Sequence, residues 1–224
     1  MRKMQITLTV ILVVAMAASA HALQFTNTLY NTGAGVAASN LADAHYDIIS
    51  APNGVTLGDA NVYASNQFPL LSNWLADNST SKWIGPAGGN GNVAVGSYTY
   101  RTTFNIQNGF DLTSLVINGR WMTDNYGSSI KLNGHALALP SLPIGFGATN
   151  WANFSITQDF FQTGINTLDF VVDNAAGNSG NPTGLRVEFT SNDGTPVPEP
   201  GTVMLLGFGM LGLAVYGKRR MNKS

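Results

Sequence analysis

Between Leu23 and Thr195 the dominant period of the apolar residues is two, the period of a strand with one buried face. In SYTYRTTFNI, Tyr98, Tyr100, Thr102, Phe104 and Ile106 fall on one side, and Thr99, Arg101, Thr103 and Asn105 on the other. NTLDFVVD repeats the pattern with Leu168, Phe170 and Val172 inward and Thr167, Asp169, Val171 and Asp173 outward. GLRVEFT sets Leu185, Val187 and Phe189 against an outward Arg186 and Glu188. No long helical pattern interrupts the stretch from Leu23 to Thr195. The expectation is an all-β domain of about eight to ten short strands, a sandwich or a barrel, and of these a jelly-roll-like antiparallel β-sandwich.

Turn chemistry supports this period. Asn133-Gly134 separates SSIKL from HALAL, and both positions of a type I′ hairpin turn need positive φ, which Asn and Gly supply. Asn118-Gly119 lies inside the candidate strand Leu115–Trp121 and reads as a bulge more readily than as a turn.

The two ends differ from the middle. MRKMQITLTVILVVAMAASAHA begins with Arg2 and Lys3, continues through the apolar Ile6–Met16 run and closes on Ala20-His21-Ala22, the small-x-small pattern of a cleaved export signal. Residues 1–22 are therefore expected to be a signal peptide, with an uncleaved anchor as the alternative; the domain is expected over 23–195. The remaining segment, 196–224, holds Val197-Pro198-Glu199-Pro200, an uncharged run from Thr202 to Tyr216, and Lys218-Arg219-Arg220. It is expected to form a transmembrane helix whose basic end stays in the cytoplasm while the domain lies outside.

Without its ends the chain loses six of its eleven basic residues but one of its twelve acids, leaving a net charge of about −6. Nucleic acid, which is bound by clustered Lys and Arg, is not an expected partner for such a surface. There is no cysteine, so neither a disulfide framework nor thiol chemistry is available.

Catalytic constellations are sparse. His45 and His135 are the histidines of the 23–195 segment; they are expected in solvated loops, and no GxSxG elbow accompanies them. Asp169 and Asp173 share a strand face about 13 Å apart, beyond the ~5–10 Å of a glycosidase carboxyl pair. Asp124 could act only with a distant acid, so a hydrolase is the least supported reading and a non-enzymatic protein the leading one. Gly88–Asn92, GGNGN, lacks the lysine of a phosphate loop. DNAAGNSGNPTG is oxygen-rich, and Asp173 and Asn174 are weak candidate ligands for calcium; no other cofactor or metal is called for. Trp74, Trp83, Trp121 and Trp151 offer indoles that could stack on a sugar ring. Trp121 with Asp124 and Asn125 is the candidate ligand site, with extracellular polysaccharide as partner.

Two resemblances add to these readings. Pro198-Glu199-Pro200, the glycine-containing apolar run and the terminal basic cluster resemble the PEP-CTERM sorting signal of Gram-negative bacteria. That resemblance implies recognition near Pro198, Glu199 and Pro200 by exosortase, a membrane transpeptidase-like enzyme. It also implies export through the inner membrane, transient anchoring, and then a place on the cell surface or in an exopolysaccharide matrix or biofilm. Separately, SKWIGP, YTYRTTFNI, GRWMTDNYGSSIKLNGHAL and GINTLDFVVDNAAGNSGNPTGLRVEF are similar in order to galactose-binding-like β-sandwich domains, which implies a carbohydrate-binding module. A structural or adhesive matrix protein without a specific ligand is the alternative.

Overall fold

The computed structural model describes residues 23–71, 73–88, 91–138, 149–157, 159–177, 181–197 and 200–221. The expected signal peptide lies outside the described residues. Among the described residues eleven strands form one antiparallel sheet: β1 (Leu23–Gln24), β2 (Ala42–Ser50), β3 (Gly58–Val62), β4 (Ile84–Gly85), β5 (Gly96–Ile106), β6 (Val116–Asp124), β7 (Tyr126–Leu132), β8 (His135–Ala136), β9 (Ala152–Ile156), β10 (Gly164–Asn174) and β11 (Gly184–Gly194). An α-helix, α1 (Pro200–Met221), follows.

The sheet order is β8-β7-β10-β5-β2-β3-β4-β11-β6-β9, with β1 also on β11. The path folds over on itself, because Phe170 of β10 meets Trp121 of β6 with ring centroids 5.9 Å apart and Phe154 of β9 at 6.1 Å. Residues from both halves fill one buried core, so the architecture is β-sandwich-like. The alternation read from the sequence builds its inner faces. Tyr98, Tyr100, Thr102, Phe104 and Ile106 of β5 are all buried, as are Leu168, Phe170 and Val172 of β10.

The Asn133-Gly134 turn joins β7 to β8 with φ of 50° and 83°, and Leu132 pairs with His135 across it. Its Asn133 Nδ2 donates to the Phe160 carbonyl at 2.8 Å, tying the hairpin to the segment before β10. The bulge expected at Asn118-Gly119 forms on the facing strand: Gly119 pairs with Phe189 and Asn118 with Ser191, leaving Thr190 as the extra residue. Gly119 is required because a Cβ there would stand 2.4 Å from the Phe154 ring.

The outer face of β11 departs from expectation. Arg186 and Glu188 are buried at 0% and 3% exposure. The segment from Tyr63 to Trp83 folds over them and builds a second apolar cluster of Tyr63, Leu70, Trp74, Trp83 and Met122. Asp169, also expected outward, is buried where Arg101 grips it through Nε and Nη2 at 2.6 and 2.8 Å.

Candidate functional site

Trp121 and Asp124 stand three positions apart on β6, and side chains of a strand alternate, so they leave opposite faces of the sheet. Trp121 is 1% exposed and lies in the core against Phe170. A Cβ on Gly127 would meet its indole at 2.4 Å, so the ring is enclosed on that side as well. It presents no stacking surface, which corrects the expected sugar platform. Asp124 points the other way, into the second cluster, where its Oδ2 accepts from Trp74 Nε1 at 2.9 Å. Asn125 Nδ2 donates to Asp124 Oδ1 at 2.9 Å, and Asn125 Oδ1 accepts from the Ala175 amide at 2.7 Å. Asp124 and Asn125 thus sit together, without Trp121.

Burial pushes the Asp124 carboxyl up to about 6, although the Trp74 indole pulls it down. No second carboxylate is among the causes of the shift. A folded pKa above the ordinary 3.8 means that the unfolded chain ionises first as pH rises. The domain therefore loses stability between about pH 4 and pH 6, by about 2–3 kcal/mol from this group, and nothing further from it above that. Asp43, Asp47 and Asp77 are raised by burial and act with the same sign. Thermal unfolding at pH 4.5 and pH 7 should show Asp124→Asn with a smaller drop than the parent.

Under Trp151 lies a charged network. Glu188 accepts from Ser81 Oγ at 2.7 Å and from Arg120 Nε and Nη2 at 2.8 and 2.5 Å. Arg186 Nε donates to Ser81 Oγ at 2.7 Å and Nη1 to the Ala76 carbonyl at 2.7 Å. Its Nη2 has no hydrogen bond and stands 3.7 Å from Glu188 Oε1. Both guanidinium groups face the Trp151 ring, at 4.5 Å for Arg120 and 5.2 Å for Arg186. Burial alone would raise the Glu188 carboxyl, but Ser81, Arg120 and Arg186 together bring it below the ordinary value. This arrangement fixes the covering segment to β11 and β6.

The remaining expected positions have structural partners. Asn174 Nδ2 donates to the Ala94 carbonyl at 3.1 Å, while Asp173 is half-buried at the register position opposite Ser97 and Tyr126. Among the described residues no group of three or more His, Asp or Glu is placed to hold a metal. His45 belongs to β2, not to a loop, and stacks on Tyr30 at 3.7 Å; His135 opens β8 and stacks on Phe160 at 4.3 Å.

Tyr30 is the aromatic that sequence reasoning passed over. It remains 38% exposed and borders an open groove of about 520 Å³ with Asn31, Phe189, Thr190, Asn192 and Asp193. The bulge puts Thr190 in solvent at this point. Local sequence gave no signal for it, because the groove joins the two ends of the domain's chain.

The chain leaves the domain through a short clasp. Asp111 N donates to the Thr195 carbonyl at 2.9 Å, and Val197 N donates to the Gly109 carbonyl at 2.7 Å. Pro196 lies opposite Phe110 in an isolated antiparallel bridge. Three positions beyond Val197, α1 begins; its basic residues Lys218, Arg219 and Arg220 fill the last turn. Compared with protein-family descriptions, residues 196–220 match the PEP-CTERM protein-sorting motif. The chain carries a PEP-CTERM sorting motif. The match runs from the clasp to the basic turn and bears out the resemblance drawn from the sequence. No curated protein matches the chain.

The PEP-CTERM motif marks an exported protein directed to exosortase. Pro198 and Glu199 lie outside the described residues, and Pro200 is the first residue of α1. The described apolar side chains of α1 are exposed, from Met204 at 59% and Leu205 at 75% to Val215 at 54% and Tyr216 at 62%. Among the described residues no helix is long and apolar enough to cross a membrane.

Proposed function

We propose that this chain is a non-catalytic surface or matrix protein, held briefly in the inner membrane by α1, cut by exosortase near Pro198-Glu199-Pro200 and then delivered to the cell surface or exopolysaccharide matrix. The observation that carries the reading is the sorting motif joined directly to a folded β-domain. Anchoring draws support from α1 itself. The uncharged run from Gly201 to Gly217 measures about 26 Å as a helix, slightly short of a ~30 Å hydrocarbon core, and the apolar side chains described from Met204 to Tyr216 stand exposed. Lys218, Arg219 and Arg220 can snorkel to the cytoplasmic headgroups.

Expression of the full chain with exosortase present or deleted tests this proposal. With the enzyme, the domain should lose the mass of the tail and leave the membrane fraction. Substitution of Glu199 should keep the tail on and the protein in the membrane. Equal masses in the two strains would refute the processing.

The domain itself is read as a jelly-roll-like, galactose-binding-like module that binds extracellular polysaccharide. Support comes from the Tyr30 groove, where an aromatic ring braced by His45 borders amide, hydroxyl and carboxylate groups over the apolar Phe189. Affinity electrophoresis on the producer's own polysaccharide should retard the domain, with Tyr30→Ala running freely. Unchanged mobility of the parent would leave the structural or adhesive matrix protein as the surviving reading.

A further inference from the structure

The sorting motif is not a free peptide at its domain end. Its first two residues, Pro196 and Val197, are already engaged by the turn at Gly109–Asp111. The turn is itself braced. Gly109 holds φ at 90°, a conformation suited to glycine, and Asp111 Oδ1 accepts from Thr113 N and Oγ1 at 3.0 and 2.7 Å. Phe110 anchors it to the core, meeting Phe25 edge-on at 6.3 Å. Ser114 Oγ accepts from the Thr195 amide at 2.8 Å, so the strand leaving β11 is held on each residue from Thr195 to Val197.

On the other side α1 starts at Pro200. From Val197 to Pro200 an extended chain reaches about 11 Å. An enzyme that cleaves a main chain reads several residues on each side of the bond in extended form, by pairing its own backbone with theirs. The clasp occupies the very groups that such pairing needs: the Thr195 carbonyl and the Val197 amide.

We propose that Gly109 and Asp111 are positioning residues for the processing step: their main-chain bonds hold the motif's upstream half on the domain, and exosortase cuts from the opened form. The inference rests on the processing read above. Cleavage then follows the population of the open clasp, as it does for any backbone cut from a transiently freed state. Each lost hydrogen bond is worth about a fewfold to tenfold in that population.

Two changes move the clasp in opposite directions. Asp111 has φ of −75°, which proline adopts, so Asp111→Pro removes the amide that binds Thr195, while Asp111→Ala removes the carboxylate and keeps that amide. Cells carrying exosortase should trim the Asp111→Pro chain about fivefold faster than the Asp111→Ala chain. The chain has no cysteine, so Phe110→Cys with Pro196→Cys, opposite each other in an antiparallel bridge, gives a single reversible lock. In exosortase-bearing membrane vesicles the oxidised full chain should lose its tail at least about tenfold more slowly than the same chain after reduction.

Identical rates with the lock open and closed would overturn the clasp and leave processing intact. Tail loss absent even from the reduced chain and the parent would overturn both. Hydrogen exchange at the Val197 amide adds a readout apart from processing: slow exchange in the parent and faster exchange in Asp111→Pro, with the melting temperature unchanged, are expected.

Discussion

Glu188→Ala should cost the domain about 3–5 kcal/mol, the range for removing one partner of a buried ion pair. The loss arises from what remains. Arg186 is fully buried, and with Glu188 gone its guanidinium keeps Ser81, the Leu75 and Ala76 carbonyls and the attraction of Asp77 but lacks the carboxylate 3.7 Å away. Arg120, more than a third exposed at its side chain, can turn to water. Arg186 cannot. Arg186→Met combined with Glu188→Leu should recover most of the stability, because apolar groups of similar volume need no counter-charge there. Urea unfolding of the four-member cycle measures this directly. A Glu188→Ala midpoint equal to the parent's would mean that water already reaches Arg186.

Trp121→Ala should be equally severe, about 3–5 kcal/mol, for a different reason. The indole is the joint between the two halves of the folded sheet, touching Phe170 across the core and closing over Gly127. Its removal leaves a cavity that β6 and β10 cannot close without shifting register on both neighbours. Out of a total of ~5–15 kcal/mol for an ordinary domain, such a loss moves the urea midpoint far down. Glycan mobility of whatever remains folded should not change. If Trp121→Ala unfolded like the parent, the sheet halves would not meet through that ring.

The contrast between these two positions shows what the sequence could tell. Alternation in β5 and β10 named the inward residues because the middle of each inner face is apolar or aromatic, with buried Thr102 in β5 and buried Asn166 and Asn174 flanking the apolar run of β10. Asn133-Gly134 named its hairpin because a φ of 50° followed by 83° is a backbone demand that few other pairs meet. The sorting tail could be read because its parts are contiguous.

The outer face of β11 was not legible. Period-two reasoning assumes that the second face is wet, whereas here a segment without period, Tyr63–Trp83, comes from far away in the chain to cover it. One signal was nonetheless present: Trp121 and Met122 are consecutive large apolar residues, and a strand with such a pair is buried on both sides. Parity also separated Trp121 from Asp124 without any structure. The Tyr30 groove had no such local mark, since Tyr30 and Asn192 meet through long-range bonds to the last strand, among them the Phe189 amide donating to Asn31 Oδ1 and the Thr32 amide donating to the Val187 carbonyl.

The pairing of the first and last strands bears on how the protein comes to exist at all. β11 lies between β6 on one side and β1 and β4 on the other, yet it is the last strand to be synthesised, ending at Gly194. Until those residues are made, β6 has no neighbour on its inner edge and β1 has nothing to zip onto. The closing stitch of the domain is thus sewn last, and it ends two residues before the sorting motif begins.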